Sequence, residues 1–593
     1  MLPTDVERKG PDVDTWLGTD SPMRRVLKLL GGHRKLSLTQ GFASIMEGLL
    51  EAVILALVAQ VGLEAIGGQP VSSLPLLGPV AIGTVLLLLP IAVFFRLAFG
   101  VVAPLVAAKI STSVTLETRF RLIDAYRRTS YLRQQELGEG QLQQLMVTYP
   151  QQIGATVGNL LAYLSNFIIM LAMLGLAFAS APATSAGLVI TLIVLSLLFV
   201  PLRRRIRRLS RDLIMSQERS ALAVDELANL RYEARAFGVG GRLAGRVEAE
   251  FWAESETRRR TASVKGLVSP FYVAVTYGAV TLGLVVAQGA ASVELAGLAP
   301  VLLIILRSLS YGQSIQQASA TIAAFGPLLD RVAAAVGRLE EQDSAMSGTA
   351  LRGIEGIELR SVKFRYPGSG YDSVSDVSVT LRRGDRIGII GPSGSGKTTL
   401  TRLILGLLRP TEGDVFVNDA SLGSVDESSF REQLGVVPQT PGLLRGTIIE
   451  NVRFFRDEVD ANQVAEALRL ADLDSDLQKM PLGAETILGP GESELSGGQA
   501  QRLTVARALA GKPRLIVMDE PTSAIDGESE KQISGSLERL DEDSILILVS
   551  HRVSVLKGCN RIIVLEDGRM TACGSWGQVA SLSTYVQSLS ELS

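Results

Sequence analysis

Cysteine is nearly absent from this chain: Cys559 and Cys573 are the only two in 593 residues. That excludes a disulfide framework, fits a reducing compartment, and leaves both expected as ordinary packed thiols. Histidine is as scarce, with His33 and His551 alone. Aromatic residues make up 5%, which argues against a cavity walled by stacking rings. Charge of one sign is missing too: 58 Lys and Arg against 60 Asp and Glu leave a net charge of -2. A phosphate-tracking surface needs a basic stripe that this balance does not show, so no nucleic-acid partner is expected. Residues 1–22 are polar, contain Pro3, Pro11 and Pro22, and lack a basic segment leading into a short apolar core. No removable leader is therefore expected, and the membrane would be reached through internal segments.

What is present is apolar content, 47% of the chain with a mean hydropathy of +0.28, concentrated before residue 330. Crossing hydrocarbon as a helix takes about 20 mostly apolar residues, because every backbone polar group must be satisfied within the segment. Six segments meet that need: Gly41 to Leu63, Leu76 to Ala107, a pair between Gly154 and Leu202, Gly266 to Val293, and Leu295 to Leu329. No charge occurs from Gly154 to Leu202, and Ser180-Ala-Pro-Ala-Thr-Ser185 breaks that run into a hairpin. The connections 64–75, 180–185 and 289–294 lack Lys and Arg, whereas 203–211 reads RRRIRRLSR. The positive-inside rule then places both termini in the cytoplasm. The two cytoplasmic connections, 108–153 and 203–265, are long and helical in pattern, so the spans are expected to continue outward as helices. Residues 338–355 lose the apolar pattern and read as a linker. The expected division is 1–36 as a cytosolic segment with an elbow helix, 37–337 as a six-helix membrane domain, and 356–593 as a cytosolic domain.

Chemistry sits in that last part. Gly391-Pro-Ser393-Gly394-Ser395-Gly396-Lys397-Thr398-Thr399 follows the apolar run Ile387–Ile390 and precedes a helical pattern, which is strand, glycine-rich turn and helix. That context is what a P-loop requires: backbone N–H groups wrap phosphates at a helix N-terminus, Lys397 neutralises the β and γ phosphates, and Thr398 offers its hydroxyl to Mg2+. Leu515-Ile-Val-Met518 then ends in Asp519-Glu520, as a buried parallel strand delivering two carboxylates to its edge would. Asp519 is expected to hold Mg2+ and Glu520 to polarise the attacking water. His551 ends a further apolar run, Ile545 to Val549, and is expected to orient that water. His33 is read as a plain polar group.

Between the P-loop and the DE strand stands Leu495-Ser496-Gly497-Gly498-Gln499, and with it the chain resembles the ABC transporter family. Six spans joined to one such domain resemble a half-transporter of the exporter type: a membrane α-helical bundle fused to an α/β P-loop NTPase domain. The resemblance implies that Tyr366 stacks on adenine and that Gln439 senses Mg2+. It implies that Asp526, in Ser523-Ala-Ile-Asp526, communicates across a dimer, and that Ser496, Gly497, Gly498 and Gln499 meet ATP held by a second copy of the chain. It further implies short coupling helices near residues 127–139 and 229–240. The chain departs from the exporter pattern in carrying Pro490 where a glutamate is usual before the signature and Pro521 after Glu520.

The expectation is a homodimeric, ATP-driven exporter or flippase of the plasma (bacterial inner) membrane that moves a lipid, lipid-linked glycan, peptide or amphipathic compound. The alternatives are an importer on the same fold, an ATP-gated channel, and one subunit of a heterodimer. Four charges inside the spans are candidates for a substrate cavity: Glu47, Glu51, Arg96 and Arg307. They read either as a cationic spot for an anionic head group or as a structural Arg-Glu pairing.

Overall fold

The computed structural model describes residues 31–65, 82–180, 190, 193–194, 196–289, 299–340, 348–489, 493–521, 535 and 543–591. These form two compact units, Met1–Thr129 with Arg133–Glu341 and Ser130–Leu132 with Gln342–Ser593.

The first unit is helical throughout: α1 (Arg34–Ala65), α2 (Ile82–Arg128), α3 (Tyr131–Glu136), α4 (Glu139–Gln143), α5 (Tyr149–Ser180), α6 (Val200–Asn229), α7 (Arg231–Ala236), α8 (Gly240–Gly266), α9 (Val268–Gly289) and α10 (Ala299–Glu340). At 1.5 Å per residue, the 47 residues of α2 run about 70 Å. Hydrocarbon accounts for roughly 30 Å of that, so the helix must project beyond it, as the sequence pattern requires. Among the described residues four helical stretches are long and apolar enough to cross a membrane: Arg34–Leu55, Leu87–Arg128, Gly140–Gly175 and Arg307–Glu340. The expected hairpin turn at 180–185 and the end of the fifth span fall largely outside the described residues.

Packing follows small residues and polar seams, because helices surrounded by lipid gain little from hydrophobic exclusion. Gly154 of α5 lies against α2, where an added Cβ would come 2.7 Å from the Ser111 carbonyl oxygen. The Ser111 hydroxyl in turn donates to the Gly154 carbonyl at 2.7 Å. Around this seam Ile110, Val114 and Leu122 of α2, Val157, Leu160 and Leu161 of α5 and Leu328, Leu329 and Val332 of α10 form one apolar cluster. The arginine-rich α6 buries Ile206, Ser210, Ser216, Ser220 and Ala223. Their spacing of three, four and six keeps one stripe inward and turns Arg204, Arg205, Arg207 and Arg208 away from it. The short helices α3 and α7 occupy the two places where the sequence reading expects coupling helices.

The second unit carries two main sheets. One is antiparallel, in the order β2-β1-β4-β5, built from β1 (Gly356–Phe364), β2 (Val374–Arg382), β4 (Glu412–Val417) and β5 (Ala420–Ser421). The other has the order β12-β11-β3-β10-β9-β6, from β3 (Arg386–Ile390), β6 (Leu434–Val437), β9 (Leu515–Asp519), β10 (Ile545–Val549), β11 (Arg561–Glu566) and β12 (Arg569–Gly574). A small pair, β7 (Gly446–Thr447) and β8 (Ile487–Leu488), lies apart. Strands β6, β9, β10, β3 and β11 run parallel, and all five residues of β10 are buried, as expected of a strand covered on both faces. Register decides where chemistry falls: Val549 pairs with Asp519 on one side and Ile389 on the other. The residues following β3, β9 and β10 therefore emerge at one edge of the sheet. Cys559 is buried, which holds its thiol up at about 12, but Cys573 is exposed on the edge strand β12. Only the first of the two is thus a packed thiol.

A candidate nucleotide site

The P-loop leaves β3 and enters α11 (Lys397–Ile404) through Gly394 and Gly396, whose φ angles of 80° and 96° a side chain rarely adopts. The turn folds back on Lys397. Its ammonium donates to the carbonyls of Gly391 at 2.9 Å and Pro392 at 2.8 Å. Burial pushes its pKa below the ordinary lysine value, with Glu520 and Asp519 opposing that shift. Ser395 is 3% exposed, and its hydroxyl oxygen has no hydrogen-bond partner among the described residues. Ser393 and Gly394 form the exposed crest of the turn.

The expected carboxylates arrive at the same edge. Asp519, last in β9, lies with Oδ2 3.4 Å from the Thr398 hydroxyl, which donates to it. Burial raises its pKa, and the adjacent Glu520 charge raises it further. Glu520 adopts φ 49°, a left-handed backbone unusual for a residue with a side chain and costing roughly 1–3 kcal/mol. That conformation is held by its N–H, which donates to the Val549 carbonyl at 2.8 Å. The carboxylate is then gripped from two sides: Gln439 Nε2 donates to Oε2 at 3.0 Å, and His551 Nε2 lies 3.1 Å from Oε1. Glu520, Gln439 and His551 thus meet in one constellation although they come from three separate loops.

Tyr366 packs edge-to-face on Phe364 at 4.9 Å between centroids. Its hydroxyl lies 3.4 Å from Thr399 Oγ1 and accepts from Arg402 at 3.4 Å. Ser496 caps α12 (Gly497–Leu509) through a reciprocal box with Gln499, at 3.3 Å and 3.0 Å. Gln499 Nε2 also donates to Asp476 at 2.8 Å, and Arg502 donates to the same carboxylate at 2.6 Å. The Gln499 side chain is thereby engaged within its own domain, while Ser496 and Gly497 stay exposed. Asp526 and Pro490 lie outside the described residues.

Tyr585 is the residue that sequence reasoning missed. From the C-terminal helix α13 (Thr584–Glu591) its hydroxyl donates to the Gly391 carbonyl at 3.3 Å, the same oxygen that accepts from Lys397. Nothing local marks a tyrosine 194 positions downstream as part of the P-loop. Should Lys397 turn toward phosphate, Tyr585 is the side-chain donor that this carbonyl keeps among the described residues. Tyr585→Phe is therefore expected to weaken nucleotide affinity about five- to tenfold, the equivalent of roughly one hydrogen bond. Titration with a fluorescent ATP analogue measures this, and an unchanged dissociation constant would refute it.

In the first unit, the four charged candidates sit on three helices. Arg96 of α2 and Arg307 of α10 both bond Glu51 of α1, with Arg96 at 3.1 Å. Glu47 lies beside Gly100, where an added Cβ would come 3.2 Å from its Oε1.

The residues at the sheet edge suit a nucleoside triphosphate: a glycine-rich turn with an exposed crest, a desolvated ammonium, a buried hydroxyl without a partner among the described residues, and two adjacent acids whose mutual repulsion a divalent cation would relieve. Asp519→Asn should relieve it as well. A carboxyl whose pKa is raised on folding favours the folded state at low pH, and that contribution is lost as pH rises through the folded pKa. The Asn variant is thus expected to unfold about 2–4 °C higher near neutral pH without nucleotide, yet to lose the stabilisation that Mg2+ and ATP give together. Thermal unfolding with and without both ligands tests the pair of outcomes.

Comparison with known proteins agrees with this geometry. Residues 374–523 match the family model described as ABC transporter. ABC transporter B family member 13 of Arabidopsis thaliana is 34% identical over 283 residues, covering 46% of this chain and 23% of that protein. The alpha-hemolysin translocation ATP-binding protein HlyB of Escherichia coli O157:H7 is 38% identical over 225 residues, 38% of this chain and 32% of its own. The ATP-dependent lipid A-core flippase of Neisseria meningitidis is 35% identical over 266 residues, 44% and 42% respectively. The chain thus spans less than half the length of each of these curated relatives. A bacterial Atm1-family ABC exporter solved with ATP bound superposes with a TM-score of 0.80 over 94% of this chain and 97% of that one, at 21% identity. The P-loop, the DE strand and the signature all lie in the matched segment: this chain carries the ATP-binding domain of the ABC transporter family, joined to a membrane domain of the exporter fold.

Proposed function

We propose that the chain is an ATP-driven exporter working as a homodimer in the plasma membrane, with both termini and the ATP-binding domain in the cytoplasm. The observation that carries the reading is the grip of Gln439 and His551 on Glu520, beside Asp519 and the P-loop. That arrangement fixes a general base, which a gate that only binds nucleotide has no use for. Lys397 and the loop amides bind and orient the phosphates. Thr398, Asp519 and Gln439 would hold Mg2+, which supplies charge neutralisation on the phosphate oxygens. Glu520 takes the proton of the attacking water, and His551 and Gln439 keep its carboxylate aimed. Ser496, Gly497 and Gly498 serve the site of the opposite copy. The names of the relatives, a haemolysin translocator and a lipid A-core flippase, favour a peptide or lipid-like cargo.

Inside-out vesicles containing the protein test the reading. A labelled amphipathic cargo should accumulate in the lumen only with hydrolysable ATP. Accumulation without turnover, or loss from the lumen instead of gain, would replace export by a gated channel or by import.

A further inference from the structure

Among the described residues of the second unit two side-chain amides are wholly enclosed, Asn451 and Gln501, each 0% exposed. Asn451 meets its full demand. Its Nδ2 donates to the carbonyls of Leu444 and Thr447, both at 3.0 Å, and its Oδ1 accepts from the Leu444 N–H at 2.8 Å and from Arg507 Nη2 at 3.0 Å. Gln501, on α12, meets none: neither Nε2 nor Oε1 has a hydrogen-bond partner among the described residues. An amide brings two donors and an acceptor oxygen, and enclosing it unmatched costs free energy that an apolar side chain of the same length does not. Asn451 shows that this domain can match a buried amide, so the unmatched one calls for a use.

The path of α12 says where Gln501 lies. The helix packs on β6, and an added Cβ on Gly435, near the start of that strand, would collide with the Ala508 carbonyl and with Pro513. The chain then enters β9 at Leu515, which pairs with Leu434, so α12 runs counter to both strands. Gln501 stands two turns before Ala508 on the same face, about 10 Å back along the axis. Along a strand about 10 Å is three residues, which brings Gln501 level with Pro438, beside Gln439. The connection of residues 438–445 is tied to α12 at its far end, where Arg507 Nη1 donates to the Gly442 carbonyl at 2.7 Å and Arg507 Nη2 reaches the Asn451 that brackets Leu444. Its near end has no hydrogen bond to α12 among the described residues. Gln439 there bonds Glu520.

Resting on the reading of Glu520 as the base of ATP hydrolysis, we propose that Gln501 is a positioning residue for that base: in a second placement of α12 on β6 its amide bonds the main chain of residues 437–439 and fixes Gln439 to the helix that bears Ser496. Through Gln439 the same bonds steady the Glu520 carboxylate. The unmatched amide makes the placement seen here the less favourable one, so the shift that moves the signature serine also completes the grip on the base.

The test uses the full chain in nanodiscs and Gln501→Met, which keeps the length of the side chain and removes its hydrogen bonds. The kcat for ATP hydrolysis is expected to fall about five- to tenfold, the equivalent of roughly one hydrogen bond, while the dissociation constant of a fluorescent ATP analogue stays within about twofold of wild type. Without nucleotide the variant should unfold at the wild-type temperature or up to about 4 °C above it, because no native bond is lost. An amide with a purely structural role, matched by enclosed water, gives the opposite pattern: Gln501→Met then unfolds at a lower temperature or fails to fold, or its folded fraction keeps the wild-type kcat. Each of these results overturns the proposal, as does a loss of affinity equal to the loss of kcat, which would place Gln501 on the nucleotide. Failure of the base reading shows separately, as Glu520→Gln hydrolysing ATP near the wild-type rate; if only the Gln501 proposal fails, Glu520→Gln stays inactive and Gln501→Met turns over as wild type.

Discussion

Glu520→Gln is expected to lower steady-state ATP hydrolysis by about 10²- to 10³-fold, the range for removing a positioned general base, while nucleotide affinity stays within about threefold. The substitution keeps the size of the side chain and its ability to accept from Gln439 Nε2 and to face His551, so the constellation survives. Only the basic oxygen disappears. Affinity is proposed to be carried elsewhere, by Lys397 and the loop amides, which is why binding and turnover should separate. Phosphate release in nanodiscs, with fluorescent-nucleotide titration alongside, measures both. A variant that hydrolyses within tenfold of wild type would remove Glu520 from the base position and shift attention to His551.

That constellation was readable in the sequence to an unequal degree. The P-loop is continuous, and its demands on backbone conformation leave a glycine pattern that few other structures share. Strand β9 was legible because burial on both faces forces an unbroken apolar run, after which Asp519-Glu520 stands out. The pairing of Glu520 with Gln439 and His551 was not. It depends on the parallel register that sets Val549 beside Asp519 and on β6 lying next to β9, and neither is encoded locally. The left-handed backbone of Glu520 belongs to the same class, since no glycine announces it. Tyr585 lies further out of reach, because a contact 194 residues away leaves no periodic trace.

In the membrane half, the apolar run of the second span ends near Ala107, and α2 continues to Arg128 as the expected outward extension, because leaving the hydrocarbon ends the apolar run but not the helix. Pro90 and Pro104, which would argue against one long helix in water, lie inside α2. Neighbouring helices and local adjustments of the backbone can re-satisfy the groups that proline frees. The Arg-Glu pairing is seen directly, with both arginines on one carboxylate. The pairing is real, and it leaves each guanidinium with an open face.

Lys397→Ala and Ser496→Arg should each abolish turnover as pure samples, by about 10²-fold or more, and should restore one another when mixed before reconstitution. Lys397 is proposed to act on the nucleotide of its own chain. Ser496, exposed at the start of α12, is proposed to act on that of the partner. A head-to-tail mixed dimer therefore places both lesions in one site and leaves the other whole. Isologous twofold pairing makes the two sites equivalent in the wild type, so random exchange yields mixed dimers in about half of the assemblies, each with one intact site. If the sites act independently, about a quarter of wild-type activity returns. Loss of the Ser496 cap costs only about 1 kcal/mol of helix stability, too little to unfold the domain, so inactivity of that variant reflects the added side chain rather than collapse. Hydrolysis that stays at the level of either pure variant would count against independent composite sites, and activity in the pure Ser496→Arg sample would remove the signature from the site altogether.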